Sequence, residues 1–424
     1  MLPRCLPPNN SSSIGPSLEL AATISPEILS TLVAGTAALS VPTATPRPTA
    51  DVGVIGAGPA GLVLAHVLRE RGHSVRIFER RDSFRPVGAA VFMHPFALNS
   101  LRAVSPTLEK QLLDVCTTIH TLSFTTLAED APSFRLDTLG DAKRVLGAPF
   151  VAVRFWDMLR ALRVGLPDEL FCFGHQLERY EQHGDADGVT LYFADAAQPP
   201  RTVRYLIDAG GIRSATRAQL LGDERIPRLR ATFSVLPAER VAAAHEAVGG
   251  ASTPGELGFV AGDNLSVVTM GLSDGGVMWS QTDLAADPTA QLYHDGSDAE
   301  LRADLGAKYA KSNGWPSGVR ALVEATTPAD VIESTVAELP VAWRWGDGHV
   351  TLLGDAAHAQ LPALGLGVST AFGDVEELVA QLDRHGLSQK ALRWYERCRM
   401  PTCAALQLMS RSMYGLNKIS ANTH

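Results

Sequence analysis

One stretch near the beginning of the chain constrains its fold more than any other. An apolar run from Val52 to Ile55 leads into glycines spaced as G-x-G-x-x-G (Gly56, Gly58, Gly61), and apolar residues at helical spacing follow. In this pattern the first glycine permits a tight turn, the second lets the backbone approach a phosphate, and the third lets a helix pack closely on a strand. The stretch therefore predicts the strand, turn and helix of a βαβ dinucleotide-binding fold, with the helix N-terminus facing the phosphates.

An acidic residue follows at the distance that such a fold requires. A second apolar strand, predicted for residues 74–78, ends at Glu79, and these folds place a ribose-binding carboxylate about 20 residues beyond the glycines. Glu79 favours FAD or NAD over NADP, because a phosphorylated ribose would call for a basic residue here. Glycine-rich turns also occur without a ligand, but strand, helix and acid together indicate a nucleotide site.

A second motif lies far downstream. An apolar strand, a Gly-Asp-Ala-Ala-His turn, a loop with proline and glycines and a helical pattern succeed one another there. Amides around Leu366 and Gly367, at the positive end of the predicted helix, would stabilise an anion. Asp355 and His358 also have simpler interpretations, as a turn-forming aspartate and a packed or hydrogen-bonded histidine.

The two motifs together resemble the FAD fingerprints of the group A flavoprotein monooxygenases, the single-component, aromatic-hydroxylase-like family. The resemblance extends from about residue 51 to about residue 413. It implies that Asp355 binds the ribityl chain of FAD and that Arg154 reaches the cofactor; the alternative for Arg154 is an exposed arginine at a sheet edge. The implied cofactor-binding residues are Gly56, Gly58, Ala60, Gly61, Glu79, Arg80, Gly88, Ala89, Arg154, Gly354, Asp355, Pro362, Gly365, Leu366, Gly367 and Val368.

Two positions depart from the family pattern. After a strand the family has Gly-Ala-Asp-Gly-x-x-Ser, a turn implicated in binding FAD and nicotinamide, whereas this chain has Asp-Ala-Gly-Gly-Ile-Arg-Ser over residues 208–214. Gly210 thus replaces the acid, and Asp208 offers a partial substitute. Ser369 occupies the place of a family asparagine. The departures leave open whether NADH, NADPH or neither is used.

The resemblance implies an enzyme that uses NAD(P)H and O₂ to hydroxylate or epoxidise an aromatic or electron-rich small molecule, a secondary metabolite, through a flavin hydroperoxide. FAD carries that chemistry, while the protein orients the substrate and excludes water. No catalytic residue is assigned; the loop with Pro362, Gly365 and Gly367 is expected near the flavin ring. One alternative is a FAD enzyme that needs no NAD(P)H, such as a redox-neutral rearrangement or cyclisation enzyme, an oxidase or a dehydrogenase. The other is a non-catalytic scaffold.

Composition excludes several other classes. A net charge of −8 without a basic stripe argues against nucleic acid and anionic membranes as partners. The five cysteines are scattered without a CxxC pair, which indicates reduced thiols and a cytoplasmic location. No spacing of cysteine or histidine indicates a metal site. A monomer or a homodimer is expected.

The patterning predicts an α/β protein in which a Rossmann-like FAD-binding domain carries an inserted, mainly antiparallel β-sheet substrate domain and C-terminal helices. The composition of the first 50 residues predicts a disordered arm. Its apolar part is shorter than the ~20 residues of a membrane span, and it lacks the basic start of a secretory signal. The FAD-binding domain is predicted at residues 51–120, 145–225 and 335–385, the substrate domain at 121–144 and 226–334, and the closing helices at 386–424.

Local patterns in the middle of the chain leave one choice open. Residues 145–153 have strand-like composition, and residues 170–178 and 189–193 predict a hairpin. On a later strand, Trp279 faces away from Met278 because side chains alternate. One of these faces has to meet helices and the other the flavin cavity, and alternation does not say which. For Trp279 the favoured interpretation is core packing.

Overall fold

The computed structural model of the chain describes residues 48–126, 134–137, 141–184, 188–222, 225–248, 254–262, 264–289, 298–310 and 313–415. The predicted N-terminal arm lies almost entirely outside the described residues. The strands are β1 (Ala50–Ile55), β2 (Val75–Phe78), β3 (Ala90–Met93), β4 (Thr117–Thr118), β5 (Thr121–Thr126), β6 (Phe134–Leu136), β7 (Val151–Arg154), β8 (Phe171–Cys172), β9 (Leu177–Gln182), β10 (Val189–Phe193), β11 (Arg201–Asp208), β12 (Ile226–Leu236), β13 (Glu256–Ala261), β14 (Leu265–Gly271), β15 (Val277–Asp283), β16 (Val331–Glu338), β17 (Gly346–Asp347) and β18 (Val350–Leu352).

The helices follow the same chain order. They are α1 (Pro59–Glu70), α2 (Pro95–Val104), α3 (Pro106–Leu113), α4 (Ala142–Leu146), α5 (Phe155–Arg163), α6 (Ala215–Leu221), α7 (Ala238–Val248), α8 (Asp298–Lys308), α9 (Ser317–Glu324), α10 (Asp355–His358), α11 (Gly367–His385) and α12 (Gln389–Met413). None of the helices among the described residues combines the length and apolar character of a membrane span.

The parallel strands of the first sheet end side by side at one edge of the sheet. Its strands run in the order β17-β18-β11-β1-β2-β8, and β10 and β9 extend it from β11. The parallel register places Ile55 beside both Phe78 and Asp208, and Asp208 beside Leu352. The residues that follow these four positions therefore gather at the C-terminal edge, which is where open α/β sheets bind their ligands.

The predicted βαβ unit lies at the centre of this sheet. Helix α1 begins with Pro59 at its first turn and is buried from Ala60 to Leu68. Its apolar residues cover nearly all sides because the helix packs between the sheet and helices α5 and α11. Gly72, with φ of +82°, follows the end of the helix and returns the chain towards β2.

The second sheet is the inserted one. It has seven strands in the order β16-β12-β15-β14-β13-β5-β6, and of its neighbouring pairs only β13 and β5 run parallel. Its strands come from two segments, 121–136 and 226–338, that interrupt the segments of the first sheet. The predicted α/β fold with an inserted, mainly antiparallel sheet and C-terminal helices is confirmed.

Packing decides which face of the second sheet meets the helices. Trp279 is 1% exposed, and its indole N–H donates a hydrogen bond of 2.8 Å to Thr326 Oγ1. It packs with Tyr309, which directly follows α8, and with residues of α8 and α9, so its assignment to the core is confirmed. Met278, on the opposite face, packs towards Phe92 and Phe150 of the small sheet β3-β7-β4.

Two local predictions were partly wrong. Val145 lies in helix α4 rather than in a strand, and its side chain is 69% exposed, so no sheet contact rewards its β-propensity. The residues around Phe171 form β8, which pairs in parallel with β2 instead of starting a hairpin. The hairpin itself consists of β9 and β10. Gly174, with φ of +69°, separates β8 from β9 by a turn that strand composition alone did not indicate.

Candidate functional site

A cavity of about 330 Å³ lies at the C-terminal edge of the parallel strands. Residues of both motifs line it, including Gly58 and Asp355, so two distant segments of the chain form one site. The lining residues are Ile55, Gly56, Gly58, Pro59, Ala60, Phe78, Glu79, Arg80, Arg81, Phe155, His175, Gln176, Leu177, Ala209, Gly210, Gly211, Arg213, Ser214, Ala215, Leu353, Gly354, Asp355, Gly367, Val368 and Ala371.

The three glycines of the first motif do different things. Gly56 has φ of +93°, and a Cβ there would be 2.7 Å from the carbonyl oxygen of Ala209. A Cβ at Gly61 would be 2.2 Å from the carbonyl oxygen of Gly56, so the helix can approach the turn only without a side chain. A Cβ at Gly58 would meet nothing within 4 Å. Gly58 therefore leaves bare backbone on the cavity wall, where a phosphate can approach.

Glu79 lies at the predicted end of β2 and is held by backbone amides. Its Oε2 accepts a hydrogen bond of 2.9 Å from the Ala57 amide, and its Oε1 accepts one of 3.0 Å from the Arg81 amide. The residue is 8% exposed and lines the cavity together with Arg80. Its carboxylate is thus fixed beside the glycine turn, as a ribose-binding acid requires.

The electrostatic features of the cavity suit an anionic ligand. The N-termini of helices α1 and α11 both reach it, through Pro59 and Ala60 and through Gly367 and Val368. Amides in the first turn of a helix have no intrahelical partner, and the helix dipole makes that end positive. The cavity is further lined by Arg80, Arg81 and Arg213.

Asp355 begins the short helix α10, immediately after β18 and Gly354. Its side chain is exposed and lines the cavity. Desolvation by the surrounding protein raises the pKa of the Asp355 carboxyl; the charge of Asp374 raises it further, and His358 lowers it. Because the side chain of Asp355 lies on the cavity wall, its carboxyl oxygens can accept hydrogen bonds from a hydroxylated chain in the cavity.

A buried ion-pair network holds this turn on the side that faces the protein interior. Asp374, on α11, accepts hydrogen bonds from the Gly354 amide at 3.0 Å, from His358 Nε2 at 2.6 Å and from Arg399 Nε at 2.7 Å. Burial alone would raise the pKa of Asp374, but His358 and Arg399 lower it. Burial would lower the pKa of His358, but Asp374 and Cys403 raise it well above its ordinary value.

Residues in and beside this network have the side-chain types and spacing of a metal site. His358, Asp374 and Cys403 have ligand atoms within 4.8 Å of one another. However, both carboxylate oxygens of Asp374 already accept hydrogen bonds, and the guanidinium of Arg399 is one of the donors. A positive side chain in that position repels a metal ion, so we interpret the cluster as structural.

The loop before α11 lies partly on the cavity wall. Gly367 and Val368 line the cavity, whereas Pro362, Gly365 and Leu366 are not among its lining residues. Gly365 has φ of +61°, and a Cβ there would be 3.0 Å from Cδ1 of Phe92. The loop therefore continues from the cavity towards the small sheet and the Met278 face of the second sheet.

Arg154, which the resemblance places near the cofactor, contacts the second sheet. Arg154 Nη2 donates a hydrogen bond of 2.7 Å to Asp274, in the turn between β14 and β15, and the arginine is not among the cavity-lining residues. The next residue, Phe155, lines the cavity instead. Gly88 packs against the Phe155 ring, and the Phe155 amide donates to the Ala89 carbonyl at 2.9 Å.

Several lining residues were not predicted as cofactor-binding. His175 and Gln176 reach the cavity because β8 pairs with β2, which no local pattern indicates. Gly210 and Arg213 belong to the turn that departs from the family pattern, so the departure itself was the signal. Ser369 does not line the cavity; its buried hydroxyl has no hydrogen-bond partner among the described residues.

The residues of the cavity fit FAD. Bare backbone at Gly58 and Gly367, the anchored carboxylate of Glu79, the carboxylate of Asp355 and two helix N-termini provide groups for the diphosphate, the ribose and the sugar-alcohol chain.

Comparisons with known proteins agree with this assignment. The family described as "FAD binding domain" matches residues 49–264 and 313–407. The 3-amino-4-hydroxybenzoate 2-monooxygenase of Streptomyces cremeus is 29% identical over 366 residues, covering 85% of this chain and 86% of the relative. The 6-hydroxynicotinate 3-monooxygenase of Bordetella bronchiseptica is 26% identical over 377 residues, covering 85% of this chain and 90% of the relative.

A solved structure has the same fold. HpxO of Klebsiella pneumoniae, in complex with FAD and uric acid, superposes with a TM-score of 0.73 at 23% identity, over 86% of this chain and 87% of that chain. The family match covers most of the chain, and the relatives are named monooxygenases rather than redox-neutral enzymes. The chain therefore belongs to the FAD binding domain family and is a FAD-dependent monooxygenase of group A.

Proposed function

We propose that the chain uses NAD(P)H and O₂ to hydroxylate an uncharged, electron-rich aromatic ring. The ring binds between the loop at residues 362–367 and the face of the second sheet that carries Met278. The observation that carries this proposal is the absence of ionisable side chains on that face among the described residues of β13, β14, β15 and the part of β12 from Leu229 to Leu236; the Arg228–Glu338 pair lies beyond it, at the start of β12. The face consists of Leu122, Phe124, Leu229, Ala231, Phe233, Val235, Leu257, Phe259, Ala261, Ser266, Val268, Met270, Met278, Ser280 and Thr282.

An aromatic cluster supports the location. Phe92 and Phe150 stack with ring centroids 5.7 Å apart, and His94 meets both rings edge-on at 5.1 and 5.3 Å. Phe92 also contacts Gly365, so the cluster joins the loop to the uncharged face. Half-buried aromatic and aliphatic side chains offer a planar ring a dry surface on both sides.

The names of the relatives support the proposed hydroxylation, and they raise the question of whether the substrate of this chain carries a charge. Hydroxybenzoate and hydroxynicotinate, the substrates in those names, are electron-rich aromatic acids. Burying their carboxylate against the uncharged face would cost several kcal/mol, on the order of 2–7 even for a neutral polar group; the ionisable side chain of the neighbouring aromatic cluster is His94. An uncharged aromatic substrate is therefore the better match to these residues.

The protein groups supply binding, orientation and dryness. Bound FAD supplies the activation of O₂ with electrons from NAD(P)H. The amides at the start of α11 face the cavity and stabilise negative charge near Gly367. Phe92, Phe150 and Met278 exclude water from the space beside the loop and hold the ring at a fixed distance.

A matched pair of ligands tests the proposal. We expect 3-amino-4-hydroxybenzamide to perturb the flavin absorbance and to accelerate NAD(P)H oxidation at concentrations at least about tenfold below those of 3-amino-4-hydroxybenzoate. Labelled O₂ should place one oxygen atom in the product. Ser280→Lys, which adds a positive charge to the face, should reverse the preference. Tighter binding of the acid by the unmodified protein would contradict the proposal.

A further inference from the structure

The turn from Ala209 to Ser214 is one wall of the cavity and connects the two motifs. At one end, the Ala209 carbonyl lies 2.7 Å from where a Cβ of Gly56 would be. At the other end, helix α6 carries Arg217, whose Nη1 donates a hydrogen bond of 2.8 Å to the Ala357 carbonyl in α10. A displacement of this turn would therefore move the wall and loosen both motifs.

Asp208 holds the turn from inside the protein. The residue is 0% exposed; its Oδ1 accepts a hydrogen bond of 2.6 Å from the Gly210 amide, and its Oδ2 accepts one of 2.9 Å from the Ser214 hydroxyl. Ser214 Oγ in turn accepts from the Arg217 amide at 2.8 Å, which caps α6. Burial raises the pKa of the Asp208 carboxyl, and hydrogen bonds from Thr216, Gly210 and Ser214 act in the opposite direction.

Position 210 is a glycine because the Asp208 carboxylate occupies the space beside it, and not because of the backbone conformation at 210. Gly210 has φ of −74° and ψ of 2°, which other residues adopt as well. A Cβ at this position would lie 2.8 Å from Asp208 Oδ1 and 3.2 Å from Cγ2 of Ile55. A buried carboxylate at 208 and a side chain at 210 therefore exclude each other.

We propose that Asp208 is a positioning residue for FAD. Its carboxylate fills the space beside position 210 and holds the turn from Ala209 to Ser214 in the shape that the cofactor requires. This chain has the acid at position 208 and glycine at position 210, the reverse of their order in the family pattern described above. The proposal concerns FAD binding and does not depend on the substrate proposed above.

The first test measures the affinity of the apoprotein for FAD from the quenching of flavin fluorescence. Asp208→Asn should weaken binding at least about tenfold, because an amide N–H₂ would face a donor where the carboxylate accepts. Asp195→Asn is the matched control. Asp195 accepts a hydrogen bond of 2.9 Å from the Ala197 amide, with the same two-residue spacing, but in an exposed turn outside the cavity. Its substitution should leave FAD affinity within about twofold of the unmodified protein.

The second test is a double-mutant cycle on the exchange itself. Gly210→Ala should weaken FAD binding when Asp208 is present and have a smaller effect beside Asp208→Gly, because the carboxylate is the nearest group to the new Cβ and the remaining contact, with Ile55 Cγ2 at 3.2 Å, is longer. The exchanged variant Asp208→Gly/Gly210→Asp should bind FAD more tightly than Asp208→Gly alone. Additive effects, or an exchanged variant no better than the single one, would overturn the proposal.

Thermal unfolding separates positioning from general stability. A residue that only stabilises the fold lowers the unfolding midpoint equally with and without FAD, whereas a positioning residue reduces the increase that saturating FAD brings. Asp208→Asn should reduce this increase. If Asp208→Asn does not fold, Ser214→Ala removes one of the hydrogen bonds to Asp208 together with the cap of α6, and should reduce the same increase by a smaller amount. An undiminished increase, with unchanged FAD affinity, would overturn the proposal.

Discussion

The buried aspartate on α11 provides the sharpest prediction. Asp374 is 0% exposed and accepts hydrogen bonds from an amide, an imidazole and a guanidinium. Asp374→Asn keeps the size of the side chain but leaves His358 and Arg399 without a buried counter-charge. Breaking a buried ion pair by removing one partner costs about 3–5 kcal/mol of the free energy of unfolding. We expect a loss of that size.

The same helix offers the control. Asp383 also pairs with the Nε atom of an arginine, Arg71, at 2.6 Å, but its side chain is 51% exposed. Water screens such a pair, so Asp383→Asn should cost no more than about 1 kcal/mol. The assay is urea denaturation of the apoprotein followed by tryptophan fluorescence, since the Trp345 ring lies 5.1 Å from the His358 ring. A loss below about 1 kcal/mol for Asp374→Asn, or equal losses for the two variants, would refute the reasoning.

The pH dependence of this difference has a predicted sign. The pKa of His358 is raised well above 6.5, so its contribution is complete below that pH and is lost as the pH rises through the raised value. The pKa of Asp374 is lowered from 3.8, so its contribution is complete above that pH and is lost at more acidic pH. The difference in unfolding free energy between the unmodified protein and Asp374→Asn should therefore be largest between these limits and decline on the alkaline side.

Three further predictions concern the first motif and the link to the second sheet. Gly61→Ala should lower the free energy of unfolding by about 1–3 kcal/mol, because its Cβ would overlap a backbone carbonyl. Gly58→Ala adds a Cβ that meets nothing within 4 Å, so it should weaken FAD binding without changing the stability of the apoprotein. Calorimetry of the apoprotein and titration with FAD would separate the two effects. Glu79→Ala should weaken FAD binding more than it lowers apoprotein stability, and equal effects would argue against a ribose contact. Arg154→Ala and Asp274→Ala should each cost less than about 1 kcal/mol by urea denaturation, and a loss of FAD affinity confined to the arginine variant would show that Arg154 also contacts the cofactor.

Much of the adenine end of the site could be predicted from local sequence. The glycine spacing, the proline at the start of α1 and the acid after β2 depend on interactions within one βαβ unit, so nearby residues carry the whole signal. The Gly-Asp-Ala-Ala-His turn was recognised by its resemblance to the second FAD fingerprint of the family, in combination with the first motif. That Asp355 faces the same cavity as Gly58 required the parallel pairing of β11 with both β1 and β18.

Other features depended on contacts that no local pattern contains. The position of Phe155 on the cavity wall and the pairing of Arg154 with Asp274 follow from how the second sheet meets the first. Strand alternation separated Trp279 from Met278, yet only the packing of α8 and α9 decided which of them faces the helices.

Local sequence determined an α/β dinucleotide-binding fold, because backbone turns, helix starts and strand alternation are set by residues close to one another in the chain. The resemblance of its two motifs to the monooxygenase family added FAD and the inserted sheet. The tertiary structure alone decided why Gly210 is tolerated. Asp208 and Gly210 are separated by one residue, but their relation depends on a carboxylate buried between β1 and helix α6, where burial and hydrogen bonding fix its direction.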